Sequence, residues 1–121
     1  MENIFLCKEH AEELHKLGFN QPCLASWNYH TRELCYNGQP STFKSEDVIQ
    51  IPIYEQAFDF FRTRYGLYGY VVFNTSLDCE YQIRFVYKLL FKFCTSPEDA
   101  RFKCIEKLIE LANKNHANTK E

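Results

Sequence analysis

Apolar residues recur every three or four positions in three stretches of the chain and every second position in others. Over 5–17, FLCKEHAEELHKL, the residues Cys7, Ala11, Leu14 and Leu17 fall on one side with Glu and Lys between them. That spacing predicts an amphipathic helix. Gly18 stands where such a helix ends in a left-handed residue, and Phe19 can fold back onto the last turn. Pro22 keeps the helix from resuming. The stretches CLASWNY (23–29) and RELCY (32–36) predict a hairpin turning at His30-Thr31. NGQPS at 37–41 reads as a loop, with a short strand near Thr42–Lys44. A second helix follows, with Pro52 in its first turn and Ile53, Ala57, Phe60, Phe61 and Tyr65 on one face.

Residues 67–75, LYGYVVFNT, and 80–93, EYQIRFVYKLLFKF, predict two strands joined by SLDC. Read as one continuous strand, 80–93 puts Tyr81, Ile83, Phe85, Tyr87, Leu89, Phe91 and Phe93 on one side. Gln82, Arg84, Val86, Lys88, Leu90 and Lys92 then take the other. Arg84, Lys88 and Lys92 would also align on a helix; the β-branched and aromatic content selects strand. The third helix opens at Ser96 as N-cap, with Pro97 at its first position and Glu98 and Asp99 near its positive end. Its apolar stripe is Ala100, Cys104, Ile105, Leu108, Ile109 and Ala112. Residues 115–121 are expected to be a polar, frayed tail.

The resulting order, α-β-β-α-β-β-α, predicts an α+β domain over residues 1–114. Its antiparallel sheet has about four strands, with three helices packed mainly on one face. The length of 121 residues suits one domain. Composition adds one point to this picture: 17% of residues are aromatic, including eleven Phe and eight Tyr, so a small core can bury much area.

A net charge of −2 supplies no global attraction to nucleic acid or anionic membrane. The longest purely apolar run, YVVF at 70–73, is far below the roughly 20 residues that a spanning helix needs. Charges interrupt the N-terminal apolar stretch after Cys7, unlike a signal peptide. The expectation is a cytoplasmic protein with no membrane partner.

Six cysteines fall at 7, 23, 35, 79, 94 and 104, with no C-x-x-C and no H-x-x-x-H spacing. Most of them read as buried apolar filler. Cys7 with His10 could supply half a metal site, and Cys23 or Cys35 with His30 a nucleophile pair, but nothing in the spacing selects either. No phosphate-binding or nucleophile-elbow motif occurs. The expectation is therefore no cofactor, no metal and no enzyme, with a Cys/His enzyme or metal protein as the weakest alternative. The candidate binding face is Arg84, Lys88 and Lys92, joined by Tyr68 and Tyr70 of the neighbouring strand. Cations beside aromatics can hold phosphates and stack bases. The plainer reading is a solvated side kept soluble by its charges. Val86 and Leu90 on that side also suit a protein partner or a second copy of the chain.

Three stretches, LHKLGFNQPC (14–23), IPIYEQAFDFFRTRYGL (51–67) and SPEDARFKCIEKLIELANK (96–114), together carry a resemblance. In order and spacing they resemble a family of small uncharacterised proteins of phages and prophages of Bacteroidota. Leu17, Gly18, Phe19, Pro22 and Cys23 match its first motif. Pro52, Gln56, Ala57, Phe58, Phe61, Arg62, Tyr65, Gly66 and Leu67 match its second, and Ala100, Cys104, Ile105, Leu108 and Ile109 its third. Phe60 stands where the family often has Trp. The resemblance implies viral or mobile-element ancestry and a bacterial cytosolic setting; the accessory role, binding another macromolecule, is the expectation for a small protein of such origin without a catalytic constellation. It implies no mechanism.

Overall fold

The structure, a computed structural model, describes residues 4–73, 79–85 and 88–119. Among them the chain forms three helices and six strands, in two compact units spanning Met1–Ala57 and Phe58–Glu121. The α+β class, the three helices and the antiparallel pairing are as the sequence predicts. The strands fall into two three-stranded antiparallel sheets. The expected linker residues 76–78, and strand positions 74, 75, 86 and 87, lie outside the described residues.

In the first unit, helix α1 spans Lys8–Lys16. It starts three residues later than its periodicity suggests, because Phe5 instead bridges Ile53 and the Leu6 N–H donates to Pro52 O at 3.0 Å. Its C-terminus is a full Schellman motif. The Phe19 N–H donates to Leu14 O at 3.0 Å and the Gly18 N–H to His15 O at 3.1 Å. Gly18 takes φ 104°, and Phe19 returns to lie edge-on to His15, their ring centroids 5.5 Å apart. A Cβ at this φ is disfavoured by roughly 1–2 kcal/mol. Gly18→Ala should therefore lower unfolding stability by about 1 kcal/mol in a urea titration.

Strand β1 (Cys23–Asn28) is central, between β2 (Glu33–Ser41) and β3 (Val48–Ile51). The hairpin turns through residues 29–32, where Asn28 Oδ1 accepts from the His30 N–H at 2.9 Å and the Thr31 N–H at 3.1 Å. NGQPS is not a loop after the strand but a bulge within it. Between the pairs Ala25↔Tyr36 and Cys23↔Ser41, β1 advances two residues while β2 advances five. The third strand is VIQI, not Thr42–Lys44, because its β-branched Val48, Ile49 and Ile51 pair with Asn28, Trp27 and Ala25. Helix α1 packs on β3, and Ala11, Leu14, Ala25 and Ile51 are fully or almost fully buried.

Helix α2, Tyr54–Tyr65, runs from the first unit into the second. Pro52 lies ahead of the helix rather than in its first turn. Gln56 serves the start instead: its Oε1 accepts from the Ile53 N–H at 3.1 Å and its Nε2 donates to Pro22 O at 2.7 Å. Ala57, Phe60 and Phe61 are buried as their spacing predicts.

In the second unit, β4 (Tyr68–Phe73), β5 (Cys79–Phe85) and β6 (Lys88–Cys94) form a meander with β5 in the centre. Helix α3, Pro97–Thr119, lies across all three strands. Ser96 Oγ accepts from the Asp99 N–H at 3.1 Å, completing the predicted cap. All six residues of the predicted stripe are buried. The helix continues beyond Lys114 where a frayed tail was expected, since 115–119 contain no glycine or proline to stop it.

Candidate functional site

The register of the second sheet decides which side chains share a face. Directly paired residues point the same way, and alternate pairs point opposite ways. One side carries three rows: Tyr68–Arg84–Leu89, Tyr70–Gln82–Phe91 and Val72–Glu80–Phe93. The other carries Gly69–Ile83–Leu90, Val71–Tyr81–Lys92 and Phe73–Cys79–Cys94. The second side is the one beneath α3. Ile83 is fully buried there, and a Cβ built on Gly69 would lie 2.8 Å from Leu108 Cδ1.

Of the five predicted site residues, the structure brings Tyr68, Tyr70 and Arg84 together on the outer side. It separates Lys88 and Lys92 from them. The reason is the chain reversal between Phe85 and Lys88, which are register partners. Odd positions of β5 point inward, whereas in β6 the even positions do. A continuous strand over 80–93 would keep one parity throughout. The same reversal turns Leu89, Phe91 and Phe93 outward, although their spacing had placed them with buried Ile83.

The outer side is consequently aromatic and only sparsely charged. Phe91 is 58% exposed and Phe93 64%, their rings meeting edge to face with centroids 6.1 Å apart. Tyr68, Tyr70 and Leu89 are also exposed. Among the described residues Arg84 is the one cation in the three rows, and no carboxylate pairs with it. Exposed apolar groups contiguous over a flat sheet face mark an interaction surface more often than a solvated one.

The cysteines divide by burial. Cys23, Cys79 and Cys104 are buried, Cys7 and Cys94 half-buried, and Cys35 exposed. Burial pushes the thiols of Cys23 and Cys104 up to about 12, so they stay protonated near neutral pH. Neither Cys23 nor Cys35 bonds to His30; their sulfurs face Gln21 O at 3.4 Å and Glu33 O at 3.9 Å. Among the described residues no three or more His, Cys, Asp or Glu gather as a metal site. Nor, among them, is any helix long and apolar enough to cross a membrane.

In the first unit the polar groups serve structure. His15 Nε2–H donates to Gln50 O at 2.9 Å on the edge strand β3. Burial holds its imidazole below the ordinary pKa, in the neutral form. Tyr29 OH donates to Glu12 Oε2 at 2.5 Å, and Lys8 Nζ lies 5.9 Å from the Trp27 ring centre, tying α1 to the hairpin.

No family model, curated protein or solved structure matches the chain.

Proposed function

We propose that this chain is a binding module, an accessory protein of phage or prophage origin. It acts by docking the outer face of its second sheet on an apolar protein surface that presents a carboxylate to Arg84. The observation that carries this reading is the three-row face, with Tyr68, Tyr70, Leu89, Phe91 and Phe93 exposed around one cation that no carboxylate of the described residues pairs. Aromatic residues and arginine are the side chains that dominate protein interfaces. The resemblance of the three sequence stretches supports the origin. A nucleic-acid partner is disfavoured because Lys88 and Lys92 register on the opposite side, which leaves one charge where backbone binding needs several.

The test is capture of a partner from Bacteroidota cells, followed by rebinding of that purified protein. Arg84→Glu and the pair Phe91→Ser/Phe93→Ser should each weaken rebinding at least about tenfold while leaving the circular dichroism unchanged. Affinity should change little between about 50 and 200 mM salt. Unaltered rebinding by both variants would overturn the proposal. So would self-association abolished by the same substitutions, or single-stranded oligonucleotide binding that falls steeply with salt.

A further inference from the structure

Lys92, separated from the predicted face, sits beside a different feature. Between β5, β6 and α3 lies a groove of about 450 Å³, lined by Tyr81, Lys92, Lys103, Glu106, Lys107 and Glu110. Tyr81 and Lys92 are direct cross-strand partners, so the two side chains project together toward the helix. Lys103 and Lys107 come from successive turns of α3.

Most of these charges are already engaged along the helix. Lys103 Nζ lies 3.3 Å from Asp99, and Lys107 Nζ lies 3.0 Å from Glu110, which Lys114 also approaches at 3.6 Å. The donors left over are Lys92 and Tyr81. No carboxylate pairs with Lys92 among the described residues. Tyr81 is 7% exposed and is one of the lining residues, and no hydrogen bond joins its hydroxyl to a described residue.

We infer that this groove is an anion subsite that takes the phosphate group of a small phosphomonoester, held between the Lys92 ammonium and the Tyr81 hydroxyl. Lys103 and Lys107 stand alongside, their charges shared with Asp99 and Glu110. The lining cations are all lysines, compact point charges that suit a phosphate dianion; the planar fork of arginine, which fits a carboxylate bidentately, is missing from the groove. Two carboxylates, Glu106 and Glu110, also line the groove; Lys107 and Lys114 share the charge of Glu110. Burial also raises the Tyr81 pKa, which keeps its hydroxyl a donor throughout the neutral range. This subsite is independent of the outer-face proposal, since it opens on the other side of the sheet.

The test uses the intact protein and amide chemical shifts at constant ionic strength. The probes are inorganic phosphate, glycerol phosphate, acetate and a short single-stranded oligonucleotide. Both phosphates should shift the amides of Tyr81, Lys92 and Lys103 saturably, more tightly as pH rises through about 6 and the second charge forms. Lys92→Gln and Tyr81→Phe should each weaken binding by about fivefold to tenfold, the loss of one charge-assisted hydrogen bond. Arg84→Gln, on the opposite side, should leave it unchanged. Acetate should bind at least about tenfold more weakly. Absence of saturable shifts with phosphate would overturn the proposal. Equal affinity in both groove variants, acetate binding as tight as phosphate, or binding by the oligonucleotide alone would also overturn it.

Discussion

Gly69→Ala is expected to lower the stability of the chain by about 1–3 kcal/mol, and trimming Leu108 is expected to remove much of that cost. The added Cβ would stand 2.8 Å from Leu108 Cδ1 and 3.1 Å from Cys104 Sγ. Both residues are fully buried, so neither can swing into solvent to make room. Gly69 thus sets how closely β4 approaches α3. Leu108→Ala alone should cost about 2–5 kcal/mol by leaving a cavity. In the double variant the new methyl group would occupy part of that cavity. The two losses should then fall short of additivity by about 1 kcal/mol or more, measured by urea titration of all four proteins. Strict additivity would show that the close approach is not what requires glycine at 69.

Gln50→Ala should cost about 2–4 kcal/mol, a large share of the stability of a chain this size. Gln50 is 2% exposed, and its side chain links β3 to the bulge in β2 and to the segment beyond it. Its Oε1 accepts from Asn37 Nδ2 at 2.8 Å and its Nε2 donates to Phe43 O at 2.6 Å. Asn37 also donates to Cys23 O at 3.0 Å and accepts from Ser26 Oγ at 3.1 Å. Removing Gln50 leaves an amide hydrogen of Asn37 and the carbonyl of Phe43 without their partner. Gln50→Leu, which keeps most of the volume, should still lose about 1–3 kcal/mol. Comparing the two variants separates lost hydrogen bonds from lost packing. Amide exchange at residues 37–43 should quicken in both, since those bonds hold the bulge down.

What the sequence reveals about this fold follows from where the determining physics is local. The Gly18 stop and the Ser96 cap depend on residues within one helical turn, and both form as their chemistry predicts. The six-residue stripe of α3 is legible for the same reason. Strand β3 is four residues long, and Ile49, Gln50 and Ile51 are all buried, so no alternation marks it. What makes it a strand is β1, some twenty residues earlier in the chain. The reversal after Phe85 is harder still, because Phe85, Val86, Tyr87 and Lys88 include none of the glycine, asparagine, aspartate or proline that usually announce a turn. The remaining signal is length. A continuous strand over 80–93 would reach about 45 Å, more than twice the usual span. Tyr68, Tyr70 and Arg84 were therefore found together. Phe91 and Phe93 were missed because a single periodicity was carried through a change of direction.

The row arrangement on the outer face also fixes how it can be recognised. Each row draws one residue from 68–72, one from 80–84 and one from 89–93. The surface is a conformational epitope: a short synthetic peptide cut from any one of those segments presents a single column of it. Reagents raised against such peptides would read denatured protein on a blot. A reagent that blocks docking would have to be selected on the folded meander.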